Sequence, residues 1–143
     1  MSELIEQLKQ AWSNFDSAAL DQLEPMYAPD VVFIEPAGKI AGREALFEHF
    51  RGSLSDLIEC RFQFDPGLEV IVEGKAYLAW SMTFRHSRLR GGDQIIINGV
   101  SLLLFDHRIT FHQDWFDLGA TVYEHIPVLG AAVRFVKNRM HSH

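Results

Sequence analysis

Glu35, His112 and Asp114 combine the residue types and spacing needed to move a proton. Glu35 closes the apolar run Val31-Val32-Phe33-Ile34 and precedes a turn marked by Pro36 and Gly38. A carboxylate at the mouth of a buried strand is costly unless it is paired, hydrated or used, and burial raises its pKa toward working pH. That suits a general base. The plainer alternative is a strand-end acid bonded to Arg43 or to a backbone N–H. His112 and Asp114 lie two apart in Phe111-His112-Gln113-Asp114-Trp115-Phe116-Asp117. On a strand they share one face, where the imidazole can pair with the acid or share a ligand proton. By strand parity that face also carries Thr110 and Phe116, opposite Ile109, Phe111 and Trp115. Parity alone leaves it as either a solvent face or the polar wall of a pocket.

Other residues are candidates for the wall of the same pocket. Leu78, Trp80, Met82, Phe84 and His86 alternate along one strand face, with His86 at the rim. Trp12, Tyr27, Ser101 and Phe116 complete the expected lining, Tyr27 and Trp12 as core or wall and not as catalytic groups. His112 against Phe84 and Trp80 would be a satisfied core histidine. Glu35, His86, His112 and Asp114 could in principle converge on a metal. No HExxH helix and no ligand pair of diagnostic spacing supports this, and neither metal nor cofactor is expected. No serine sits in a GxSxG setting. Cys60, between Glu59 and Arg61, reads as a structural thiol. His49 and His107 read as exposed, on a helix flank and a turn.

The elements that must position these groups are legible from spacing. Leu4, Ile5, Leu8, Ala11, Trp12 and Phe15 form one helical stripe that Ser2 can cap, and Asp16-Ser17 caps a short second helix ended by Pro25. Val31 to Glu35 is a strand, and Gly42 to Leu54 a third helix with Leu46, Phe47, Phe50 and Leu54 inward. Long β-runs follow over about 59–72 (interrupted at Pro66-Gly67), 76–86, 94–105 and 108–117. Pro127 is placed to start a last helix reaching about Met140, with Val128, Leu129, Ala132, Val133 and Val136 on its apolar side. Helices first and strands after mark an α+β domain. Such long strands imply a strongly curved, mainly antiparallel sheet. Helices folded on its concave face make a cone with a ligand-sized interior.

Composition narrows the setting. A chain of 143 residues, 48% hydrophobic and 22% charged, is read as one soluble globular domain over 1–143. No apolar run is long enough to span a membrane, and the N-terminus reads as an acidic amphipathic helix, not a signal peptide. A single cysteine makes no internal disulfide, which suits a cytoplasmic location. A net charge of -6 speaks against nucleic-acid binding. Arg85, Arg88 and Arg90 before Gly91-Gly92 read as a solvated hairpin tip, with an acidic-ligand site as the alternative. Arg134, Lys137 and Arg139 suit the end of the last helix, and the same cluster is compatible with anionic lipid.

The helix ending in Trp12-Ser13-Asn14-Phe15-Asp16, then Tyr27-Ala28-Pro29-Asp30-Val31, Glu35-Pro36-Ala37-Gly38 and Gly42-Arg43-Glu44-Ala45-Leu46, follow an order that resembles the nuclear transport factor 2-like superfamily. Its members include the ketosteroid isomerases and the SnoaL-type polyketide cyclases. The resemblance spans nearly the whole chain, to the strand ending at Asp117. It implies the cone-shaped roll, with the C-terminal helix extra to the basic pattern. The isomerases carry an acid-Pro-x-Gly element whose acid is their proton shuttle, which Glu35-Pro36-Ala37-Gly38 matches. The cyclases carry a His-x-Asp on the last strand whose Asp is their acid/base, which His112-Gln113-Asp114 matches. The isomerases also build an oxyanion hole from a Tyr and a protonated Asp. Where these would stand, this chain has Ala11 or Trp12 and Ser101, so true ketosteroid isomerase activity is not expected.

Two functional classes follow. One is a small-molecule isomerase, cyclase or hydrolase in which Glu35 or Asp114 moves a proton and His112 orients or shares it. The other is a non-catalytic module that holds a small hydrophobic ligand or dimerises. A homodimer is expected through the outer sheet face, because Ile96, Val100, Leu102 and Leu104 are apolar on the parity opposite Ile95, Ile97, Leu103 and Phe105.

Overall fold

The computed structural model describes residues 2–116. Helix α1 (Ser2–Trp12) turns its Ile5, Leu8, Ala11 and Trp12 stripe inward. The Asp16 carboxylate accepts the Ala19 N–H at 2.8 Å and starts α2 (Ser17–Leu23), a cap that contributes about 1 kcal/mol. Pro25 sits in a 3-10 turn (Glu24–Met26) that leads into β1 (Tyr27–Glu35). A hairpin returns as β2 (Gly38–Ala41), then Gly42 opens α3 (Arg43–Ser53) with Leu46, Phe47 and Phe50 buried. The remaining chain is β3 (Leu57–Phe64), β4 (Val70–Val72), β5 (Lys75–His86), β6 (Ile95–Phe105) and β7 (Ile109–Trp115).

These strands form one seven-stranded sheet in the order β2-β1-β7-β6-β5-β3, with β4 also paired to β5, and it does not close on itself. Every pairing is antiparallel except β1 with β7, so the sheet is mixed. The helices pack on one face. Ile5, Leu8, Leu46 and Phe47 share a core with Tyr27, Phe33, Leu78, Leu103 and Ile109. The opposite face keeps Ile96, Val100, Tyr77 and Trp115 exposed. The α+β class and the helix-on-sheet order therefore stand. The expected last helix from Pro127 lies outside the described residues, with the basic cluster it carries.

Three local expectations change. The span after Glu35, read as a bare turn, contains β2, a strand too short and too Gly-rich to show alternation. The strand expected from Val31 begins at Tyr27, because Tyr27 pairs with Ile109 before an irregular stretch and Val32 with Phe111 after it. Most consequential is β7. Its register against β6 shifts between Leu104–Phe111 and Phe105–Ile109, leaving Thr110 as an extra residue. The bulge flips parity, so Ile109 and His112 both point inward while Thr110 is exposed. Strict alternation had set Ile109 and His112 on opposite faces.

Candidate functional site

The interior end of the sheet carries a cavity of about 430 Å³ between α1, α3 and strands β1, β3, β5 and β7. Its walls include Trp12, Phe33, Phe50, Trp80, Phe84 and Phe116. Glu35 and Asp114 both line it. Their convergence follows from register: Phe33 pairs with His112 across β1–β7, and Ser101 pairs with Asp114 across β6–β7. Side chains two residues further along each strand then point the same way.

The two carboxylates have different surroundings. Burial pushes the Glu35 pKa above the ordinary carboxylate value; His49 opposes this and Asp114 adds to it. His49 Nε2 stands 3.7 Å from Glu35 Oε1. Arg43, the partner that a strand-end reading supplied, instead donates to the Tyr27 carbonyl at 3.0 Å. Asp114 is held by two donors on one oxygen. Ser101 Oγ donates to Oδ1 at 2.5 Å, and His112 Nε2 lies 2.7 Å from the same atom. Oδ2 accepts no bond from the described residues.

Behind Asp114 runs a buried chain of hydrogen bonds whose direction can be read. The Trp12 indole, a donor only, gives Nε1–H to the Tyr27 oxygen at 3.3 Å. Tyr27 Oη lies 2.9 Å from His112 Nδ1. The phenol therefore donates to Nδ1, and the ring proton sits on Nε2, aimed at Asp114. An imidazolium would leave the Tyr27 O–H without an acceptor in the interior. Burial also holds the Tyr27 pKa far above the ordinary phenol value, so the group stays a donor. A second arm joins from the other side: Trp80 Nε1 donates to Ser101 Oγ at 2.8 Å. Gly99, across from Trp80 on β6, makes room for this. A Cβ there would meet the Trp80 ring at 2.4 Å and the Trp115 carbonyl at 2.9 Å. Among the described residues, no buried side-chain nitrogen or oxygen lacks a partner.

The expected residues therefore separate into two shells. Glu35, Asp114, Trp12, Trp80, Phe84, His86 and Phe116 line the cavity. His112, Tyr27 and Ser101 are buried behind it: His112 is 4% exposed and Tyr27 fully buried. Ser101 reaches the cavity through its bond to Asp114, and Tyr27 lies in the core, one of the two places expected for it. His86 Nδ1 accepts the Arg88 N–H at 3.1 Å, which fixes it at the rim. Sequence reasoning missed His49 as a lining residue. His49 flanks the Leu46, Phe47 and Phe50 stripe of α3, and the packing of that helix on β1 brings it to Glu35. Cys60 also lines the cavity; burial pushes its thiol pKa up to about 12, in keeping with an inert role. Among the described residues no cluster of His, Cys, Asp and Glu has the geometry to hold a metal.

A profile of the SnoaL-like domain family matches residues 5–112. No curated protein sequence matches the chain. Among solved structures, a protein from Shewanella denitrificans OS-217 assigned as a SnoaL-like polyketide cyclase is 19% identical, with a TM-score of 0.72 over 89% of this chain and 96% of that one. A hypothetical protein with a ketosteroid isomerase-like fold from Catenulispora acidiphila DSM 44928, solved with trimethylamine, is 15% identical, with a TM-score of 0.72 over 86% and 91%. AclR from Streptomyces galilaeus, assigned as a hydroxylase, is 16% identical, with a TM-score of 0.67 over 92% and 95%. At these identities the likeness speaks for the fold.

Proposed function

This chain belongs to the SnoaL-like domain family, and on that premise we propose that it binds a small hydrophobic molecule in the Glu35–Asp114 cavity and transfers a proton on it, as an isomerase or cyclase does. One observation carries the reading: two carboxylates in contrasting environments face one aromatic cavity. Glu35 is the proton carrier, because burial brings its pKa toward the range in which a carboxylate can both take and return a proton. Asp114 is the fixed group, oriented by Ser101 and by the His112 Nε2–H. His112 then orients Asp114 and does not meet the ligand itself.

The test is turnover of a panel of enones, polyketide fragments and epoxides, followed over pH. Glu35 acts as base when ionised, so activity should rise with pH through its raised pKa and vanish in Glu35→Gln. Turnover unaffected by that substitution overturns the assignment.

A second reading, a non-catalytic ligand-binding or dimerisation module, is favoured by the direction of the hydrogen bonds. The family resemblance puts Ser101, and Ala11 or Trp12, where an oxyanion hole would need donors. Ser101 donates to Asp114 and Trp12 to Tyr27. Neither proton is directed at a ligand oxygen. Saturable binding without turnover of any of the panel decides for this reading. The exposed apolar strip on the outer sheet face supports a homodimer under either one.

A further inference from the structure

Around Asp114 the side-chain protons of its described neighbours are already committed. Trp12 donates to Tyr27, Tyr27 to His112, His112 and Ser101 to Asp114, and Trp80 to Ser101. What Asp114 and Glu35 present to the cavity is acceptor oxygen, in a wall of aromatic rings. The rings meet at steep angles: Trp12 with Phe50 at 90° and Phe33 with Phe50 at 81°. Such a wall offers ring faces, with their negative potential, as well as edges.

The charge balance points the same way. No Lys or Arg is among the described residues lining the cavity. Asp56 has Arg88 3.6 Å away, whereas among the described residues the ion-pairing partners of Glu35 and Asp114 are histidines. His112 is engaged at both ring nitrogens, Nδ1 with Tyr27 and Nε2 with Asp114. His86 accepts a backbone N–H on Nδ1, and His49 is about half exposed at the mouth. A ligand carboxylate, phosphate or enolate would meet two acids, with the His49 imidazole beside Glu35 and the Ser53 and Ser55 hydroxyls as donors among the described lining residues. A cation would meet two counter-charges and several π faces, a combination that favours quaternary and tertiary ammonium groups.

We propose that the ligand of this cavity is a compact hydrophobic organic cation, an ammonium group seated against the aromatic wall with Glu35 and Asp114 as its counter-charges. The proposal rests on the reading of this cavity as the ligand site. The cavity volume of about 430 Å³ suits a molecule of one ring and a branched ammonium head. A proton carried by Glu35 would then be exchanged beside a fixed positive charge, which favours the ionised form of the acid.

The experiment uses the full chain and three probes of one shape: benzyltrimethylammonium, its uncharged carbon isostere neopentylbenzene, and 2,2-dimethyl-3-phenylpropanoate. Affinities are read by calorimetry and by quenching of the Trp12 and Trp80 fluorescence. The cation should bind at least about tenfold tighter than the neutral isostere, and the carboxylate weakest. Glu35→Gln and Asp114→Asn should each erase most of that preference while leaving neopentylbenzene binding within a factor of about 2. Circular dichroism of each variant checks the fold, and Glu35→Gln, outside the buried network, carries the test if Asp114→Asn unfolds. Equal or better binding of the neutral or anionic probe overturns the ligand class and leaves the cavity reading standing. No binding of any probe at millimolar concentration overturns both.

Discussion

Tyr27 Oη lies 2.9 Å from His112 Nδ1, and that contact decides which end of the imidazole carries the proton. The ring stacks beside the phenol, with centroids 5.9 Å apart at 19°, so neither can turn away without disturbing the other. Because Tyr27 donates, His112 donates in turn, and Asp114 is met by N–H from a residue 85 positions from the one that sets its tautomer.

Tyr27→Phe removes the middle of this chain. The Trp12 N–H and His112 Nδ1 are then left buried without each other's bridge, a loss of about 1–3 kcal/mol. The 15N shifts of His112 should move from a pure Nε2–H pattern toward a tautomer mixture. Unchanged shifts with a lowered melting temperature would reduce Tyr27 to a packing residue.

Glu35→Gln should stabilise the fold in a pH-dependent way. A raised folded pKa means that the folded state holds the Glu35 proton more tightly than the unfolded chain does, so ionisation weighs against folding. The variant should match the wild type below the ordinary value of 4.5 and gain on it as pH rises, levelling off above the folded pKa. Each 1 kcal/mol of gain raises the melting temperature by about 4 °C. A difference independent of pH contradicts the buried, charge-sensitive position.

Gly99→Ala tests the room made for Trp80. The new Cβ would overlap the indole at 2.4 Å and a backbone carbonyl at 2.9 Å, so the ring must leave its bond to Ser101. We expect a loss of about 1–3 kcal/mol and a red-shifted Trp80 emission. A neutral effect would show that β6 bends away at no cost.

On the outer face, Tyr77 lies opposite Val70 and Leu102, and Val100 opposite Trp115, so the exposed apolar groups are contiguous. We expect a homodimer by light scattering at micromolar concentration, converted to monomer by Val100→Lys. A wild-type monomer removes this use of the face.

Cys60 should resist thiol reagents in the folded protein and react only on unfolding, because burial keeps its thiol protonated. Rapid labelling of native protein would contradict its burial.

The chain's own pattern was enough for the three helices of the described residues, the cap at Asp16, the long strands and the place of Glu35 at the end of β1. Each of these depends on spacing within one element: 3.6-residue periodicity, alternation, or an acid ending an apolar run. The family resemblance lay in the same local words. What no local pattern carries is register. The bulge at Thr110 turns His112 inward beside Ile109, and only the pairing of β7 with β6 creates it. The separation of Tyr27 and Ser101 from the cavity wall, and the arrival of His49 at Glu35, depend likewise on how distant elements pack. Hydrogen-bond direction is the furthest from sequence. A tyrosine, a histidine and an aspartate can be arranged as donors or acceptors in several ways, and the packing around Tyr27, which among the described residues offers its O–H no acceptor but His112 Nδ1, selects one.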